Sequence, residues 1–253
     1  MCMQAEIIQQ LLDINYQFYQ KFGGAFAATR RRVQPGIRQV LEKIPLEGCW
    51  LDLGCGSGAL AKLWMEQRRT GCYHGLDFSA VLLEEARKYI SDSEQPEGLE
   101  VAFMESDLLS NDWLSVLSRE HYDGVLCFAA MHHIPGYQKR LNLVRAVRSL
   151  LPEGGLFIHS NWQFHKSPRL LARVQPWSVL EIAEESLEEG DTLLDWRYTL
   201  PDQKEQVGYR YVHRFSAQEF ERLAEEGKFR ILETFNSDGE GGQLGYYQLW
   251  QAN

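Results

Sequence analysis

Apolar residues recur at helical spacing through the first two dozen positions (Ile7, Ile8, Leu11, Leu12, Ile14, Phe18, Tyr19, Phe22), which predicts a helix over 3–22 ending near Gly23-Gly24. Pro35 opens a second helix (Ile37, Val40, Leu41, Ile44) that Pro45 stops. From Cys49 onward the pattern changes. Short apolar runs at 49–53, 71–77, 99–103, 122–128 and 156–160 alternate with amphipathic stretches such as Leu141, Val144, Val147 and Leu150. Strand followed by helix, repeated in this way, predicts an α/β fold with a doubly wound, mostly parallel, Rossmann-like sheet.

Residues 161–215 break the alternation. They hold Trp162, Trp177 and Trp196, an acidic run (Glu181, Glu184, Glu185, Glu188, Glu189, Asp191), and the polar-apolar stretch Val207 to Phe215. We read an inserted, partly helical cap over the active edge, with the acidic run as a solvated helix face. After it come a helix from Ala217 to Glu226 capped by Ser216, a strand Phe229 to Phe235, the glycine-rich turn Asp238 to Gly242 and a strand Leu244 to Gln251. The two strands form a C-terminal antiparallel hairpin and bring the sheet to seven. The chain is thus expected to be one domain: a helical lid (1–45), a ligand-binding core (46–160), a substrate-side insert (161–215), and the last helix with the closing hairpin (216–253).

The chemistry gathers at the ends of these strands. Leu51-Asp52-Leu53-Gly54-Cys55-Gly56-Ser57-Gly58-Ala59-Leu60 reads as strand, tight turn and helix, with side chains removed where a ligand must approach the backbone. Gly54, Gly56 and Ala59 also satisfy the dinucleotide pattern G-x-G-x-x-G/A. Asp52 separates the two readings, because a carboxylate beside the turn repels a pyrophosphate and attracts an ammonium group. S-adenosylmethionine (SAM) carries an ammonium and no phosphate, so the expected cofactor is SAM. Asp77, 21 residues beyond Gly56, stands where an acid reaches ribose hydroxyls, or else caps the next helix, a role that Ser79 can also fill. Ser106, Asp107 and Leu108 follow the third strand; Asp107 is placed to accept from an adenine amino group with Leu108 against the ring, or to cap a turn.

Composition narrows the setting. The formal charge of −9 argues against a bulk electrostatic hold on nucleic acid and leaves room for a local basic patch. No apolar run is long enough to span a membrane and no signal segment is evident, so a cytoplasmic location without membrane contact is expected. Cys2, Cys49, Cys55, Cys72 and Cys127 form no C-x-x-C pair; they are expected to be reduced, buried thiols, and no metal site is expected.

Leu51 to Gly58, Gly75-Leu76-Asp77-Phe78-Ser79 and the closing hairpin resemble the class I SAM-dependent methyltransferases. A narrower likeness links Phe26-Ala27-Ala28-Thr29-Arg30 with Pro35, Ala130-Met131-His132-His133, and Arg210-Tyr211-Val212-His213-Arg214-Phe215 to the tRNA wobble-uridine carboxymethyl methyltransferases. That family usually has Asn where Ser57 stands and Trp-Pro where Gln34-Pro35 stands. The resemblance implies methyl esterification of 5-carboxymethyluridine, with a small activator protein as partner in eukaryotic members.

On this basis Tyr19 and Arg30 are expected to close over the methionine end of SAM, Arg30 on its carboxylate. Aromatic faces such as Phe78 and Phe128 attract its sulfonium. Gly54, Cys55, Gly56 and Gly58 form the turn beneath. His132 or His133 supplies a base if the acceptor is a hydroxyl or amine; Arg210, Tyr211 and His213 hold it if it is a carboxylate. The same polar residues of 209–213 would also suit a strand with one polar face. Acceptors on tRNA and on a small molecule both stay open, as does a SAM-binding protein without turnover.

Overall fold

The computed structural model describes residues 3–28, 32–110, 112–198 and 205–253. Two helices, α1 (Ala5–Ala28) and α2 (Pro35–Leu41), precede β1 (Glu47–Leu53), α3 (Ala59–Glu66), β2 (Thr70–Asp77), α4 (Ala80–Ser91), β3 (Leu99–Glu105), β4 (Gly124–Phe128), α5 (Tyr137–Ser149) and β5 (Leu156–Trp162). The insert contributes α6 (Pro168–Leu171), β6 (Val174–Gln175), β7 (Asp191–Tyr198) and β8 (Gln206–His213). The chain closes with α7 (Ala217–Glu226), β9 (Phe229–Ser237) and β10 (Gly245–Ala252).

Seven strands form one sheet in the order β3-β2-β1-β4-β5-β10-β9. The first five are parallel, and β10 runs antiparallel to both of its neighbours. The order reverses direction between β1 and β4, the crevice where ligands bind in sheets of this class. Both faces are covered, and successive residues of one strand enter different cores. Leu51, Cys127 and Phe157 pack under α5 and α7, while Trp50, Leu126 and Ile158 pack under α2 and α3. That burial on both sides is why these strands read as continuous apolar runs. Ser79 caps α4, its Oγ accepting from the Leu82 N–H at 3.4 Å, and Ser216 caps α7 in the same way at 3.1 Å from the Glu219 N–H.

Four expectations need correction. Helix α1 continues through Gly23-Gly24 to Ala28, and it packs against β8 and α4. The insert is partly helical as expected, through α6 and short 3-10 turns, but it is built on a second, three-stranded antiparallel sheet, β6-β7-β8, that was not expected. The acidic run is no helix face, since Glu188 and Asp191 turn inward to bind Arg140 and His213. Cys49 and Cys72 are register partners on β1 and β2, 4.3 Å apart at Cα, and their sulfurs are joined as a disulfide. Cys55 and Cys127 are buried free thiols, as expected; Cys2 lies outside the described residues.

Helix α1 crosses over the C-terminal ends of β1, β2 and β4 and rests on β8. Gly208 permits that approach: a Cβ there would stand 2.6 Å from the Phe22 ring and 2.8 Å from the Phe18 ring. Phe18, Phe22 and Trp196 then pack ring to ring, fastening the lid helix to the second sheet.

Candidate functional site

A cavity of about 500 Å³ opens where the first four strands end, roofed by α1. Its floor is the turn after β1. Gly54 has φ +75°, and both its N–H and that of Cys55 donate to the Leu76 carbonyl, at 2.7 and 3.1 Å. A Cβ on Gly54 would lie 2.7 Å from the Ala130 Cβ, so the glycine is what lets the loop after β4 close against the turn. At Gly56 (φ +55°) no atom lies within 4 Å of where a Cβ would be. The space above that backbone is open for a ligand. Gly58 does not line the cavity; it stands against Ala86 and packs α3 on α4.

Two acids flank the turn. Asp77 accepts from the Gly56 N–H and from the Ser79 N–H, each at 2.9 Å, which pins the carboxylate. Asp52 accepts from the Tyr73 hydroxyl. Burial pushes Asp52 up to about 7, against the lowering effect of the Tyr73 hydrogen bond and with help from the Asp77 charge. Burial likewise raises Asp77 to about 6 although the Ser79 and Gly56 N–H groups lower it. Among the described residues neither carboxylate has an ion-pair partner. Two buried acids without a cation call for a ligand that brings positive charge and hydrogen-bond donors. The ammonium and ribose hydroxyls of SAM are such groups.

The remaining walls agree with much of the sequence reading. Tyr19, Cys55, Phe78, Ser106, Asp107, Leu108 and Phe128 all line the cavity. Tyr16 and Tyr19 stand 6.1 and 5.6 Å from Phe78, ring centre to ring centre, and form an aromatic rim. Asp107 also caps its own turn, accepting from the Leu109 N–H at 2.9 Å. Arg30 lies outside the described residues.

The residues expected to act on the acceptor part company. His133 lines the cavity. Its Nδ1 lies 2.9 Å from the Tyr211 carbonyl oxygen, and its Nε2 lies 3.4 Å from the Tyr19 hydroxyl. His132 is fully buried behind it, 5.0 Å from the Trp162 ring, and burial together with the His133 and Arg210 charges holds it well below the usual histidine range. It is a neutral packing residue. Arg210 is buried between the rings of Phe18 and Trp162, 5.1 Å from each, and does not reach the cavity wall.

His213 is turned away altogether. Its Nδ1 meets Asp191 and its Nε2 meets Glu219, both at 2.8 Å, beside a second hollow of about 850 Å³. Burial lowers its pKa, yet the two carboxylates prevail and raise it. Glu219 and Glu188 also bind Arg140, at 2.8 and 2.6 Å, and Arg140 donates to the Ile134 carbonyl at 3.0 Å. This ion cluster joins the insert to α5 and α7. It builds the wall behind the loop of His133 and does not touch the cavity.

Sequence reasoning missed Asn15, Tyr16, Lys139 and Trp162, all of which line the cavity. For Trp162 the signal was available: it ends β5 on the edge where the ligands bind. Asn15 was marked by its spacing, which sets a polar residue on the same helix face as Leu11, Phe18 and Phe22.

The comparisons with known proteins follow the same lines. A model of the family described as "Methyltransferase domain" matches residues 26–234. The tRNA (carboxymethyluridine(34)-5-O)-methyltransferase of Schizosaccharomyces pombe is 24% identical over 231 residues, covering 86% of this chain and 89% of its own. Two mammalian relatives are matched over 38% and 33% of their length. Among solved structures, a SAM-dependent methyltransferase from Clostridium acetobutylicum superposes with TM-score 0.61 at 16% identity, covering 93% of this chain and 99% of that one. The glycopeptide N-methyltransferase MtfA complexed with sinefungin superposes with TM-score 0.62 at 14% identity, over 87% and 86%. In the described residues no helix is long and apolar enough to cross a membrane.

Proposed function

Since the chain belongs to the methyltransferase-domain family and is a SAM-dependent methyltransferase, we propose that it esterifies the carboxymethyl group of a tRNA wobble uridine. The supporting observation is the length of its likeness to the fission-yeast enzyme. An alignment over 86% of the chain cannot be confined to the cofactor-binding core and takes in the insert that walls the acceptor side. Among the described residues Lys139 and the exposed Arg32 are the cations that line the cavity and could meet an anionic acceptor, the role that Arg210 does not fill. A small activator protein as partner belongs to the same proposal.

SAM, when bound, supplies an electrophilic methyl group for an in-line displacement. The chain's own part is to hold, orient and keep dry. Asp52 and Asp77 take the ammonium and the ribose hydroxyls, and the Tyr16, Tyr19 and Phe78 rim under α1 shuts out water. A carboxylate acceptor is already a nucleophile and needs no base.

A second reading is favoured by His133. A neutral imidazole that donates from Nδ1 to a carbonyl has its lone pair on Nε2, here on the side of the cavity-lining Tyr19 hydroxyl, and can remove a proton from a hydroxyl or amine. That geometry suits a small-molecule acceptor. Incubation with methyl-labelled SAM and either bulk tRNA or a metabolite extract separates the two. Esterification is expected to leave label in tRNA that mild alkali releases; label confined to metabolites and stable to alkali overturns it.

The acid pair makes SAM binding depend on pH. A cation and hydroxyl donors need ionised carboxylates, and folding holds these two up to about 7 and about 6. Affinity therefore rises as pH increases through that window. Near pH 6 Asp52 is about one-tenth and Asp77 about one-half ionised, so SAM should bind about twentyfold more weakly there than near pH 8. Calorimetric titrations at the two pH values check this, and Asp52→Asn should flatten the upper part of the curve.

A further inference from the structure

Asn15 is buried on the inner face of α1, and its amide lies along the outer edge of β8 like a one-residue strand. Its Oδ1 accepts from the Tyr211 N–H at 2.9 Å, and its Nδ2 donates to the Tyr211 carbonyl at 3.1 Å and to the His133 carbonyl at 3.4 Å; Nδ2 also stands 3.5 Å from His133 Nδ1, but its two hydrogens are taken by the two nearer carbonyls. The reverse orientation of the amide would set its NH₂ against the Tyr211 N–H, donor against donor, so the network dictates which end is oxygen.

The Tyr211 carbonyl held in this way is also the group 2.9 Å from His133 Nδ1. A carbonyl only accepts, so Nδ1 carries the hydrogen. It has two lone pairs and serves Asn15 and His133 together. We propose that Asn15 is the positioning residue of the site: by holding the Tyr211 carbonyl it fixes the tautomer and direction of His133, so that Nε2 is the ring nitrogen presented to the acceptor.

The inference goes beyond the choice of acceptor. With a hydroxyl or amine, the neutral ring takes a proton at Nε2. With a carboxylate, the same nitrogen becomes a donor once the ring is protonated. Both uses need the ring turned this way. Because α1 carries Asn15, the lid that closes the cavity also sets the histidine inside it.

The test reads the ring itself and requires no acceptor. In uniformly ¹⁵N-labelled protein, the His133 ring resonances are identified by their loss in His133→Gln, one of seven histidines. At a pH where the ring is neutral, wild-type protein should show the Nδ1–H form. In Asn15→Leu, of similar size but without hydrogen-bonding groups, that form should fall clearly below its wild-type share and the Nε2–H form should appear, because a histidine ring not held by a partner at Nδ1 favours Nε2–H. Tyr19→Phe, which alters only the Nε2 side, should keep the Nδ1–H form. A wild-type ring in the Nε2–H form overturns the proposal without any variant. So does an Nδ1–H ring that persists in Asn15→Leu, or in Asn15→Ala should the leucine variant not fold. The readout does not involve methylation, so it stands or falls apart from the tRNA reading.

Discussion

Replacing Arg140 by methionine should lower the free energy of unfolding by about 3–5 kcal/mol, the usual cost of removing one partner from a buried ion pair. The guanidinium is about 1% exposed and binds Glu219, Glu188 and the Ile134 carbonyl. Without it, Glu188 and Glu219 lose their guanidinium partner beside Asp191, and His213 is left as the basic group of the cluster. Methionine fills much of the volume, so the loss reports charge more than packing. Arg140→Lys should fall between the two, since an ammonium keeps the charge but cannot reproduce the fork that reaches both acids. Denaturant titration measures all three proteins. If Arg140→Met matched wild type, the cluster would not be what joins the insert to α5 and α7.

Gly54→Val should abolish SAM binding at concentrations that saturate the wild type. The position has φ +75°, a region that a β-branched residue hardly enters, and its Cβ would overlap Ala130 at 2.7 Å. The strained backbone costs about 1–2 kcal/mol and the overlap about 1–3 kcal/mol. The turn must therefore open, and it then no longer offers its backbone to the cofactor. Calorimetry gives the binding and a thermal melt gives the fold. A valine variant that folds and binds SAM normally would show that the cofactor does not lie on this turn.

The core of the fold was legible because parallel strands buried on both faces leave an unmistakable pattern. Each strand from β1 to β5, the glycine turn and Asp77 stand where apolar runs and spacing place them. The acceptor side was harder to read, and β8 shows why. Its polar residues alternate as they would on a strand with one face toward a substrate. In the molecule both faces of β8 are covered: Tyr211 joins a core with Leu11, Trp177 and Leu193, and Val212 joins another with Leu194 and Phe164. Arg210 and His213 are accordingly interior groups, the first set between the Phe18 and Trp162 rings and the second between the Asp191 and Glu219 carboxylates. Alternation tells which residues share a face; it does not tell what covers that face.

The same limit applies to His132 and His133, adjacent in sequence and opposite in fate. A short 3-10 turn points one ring into the core and the other to the cavity. The disulfide between Cys49 and Cys72 depends on a register between β1 and β2 that no local pattern encodes.

Cys55 lines the cavity one residue beyond Gly54, and a thiol is a natural target for an alkylating agent. Its burial, and then the negative charges of Asp77 and Asp52, hold its pKa well above the ordinary thiol range. Alkylation needs the thiolate, which is withheld here. In the role proposed for Asp52 and Asp77, the charges that attract the cofactor's ammonium group add to burial in keeping this thiol in its unreactive form.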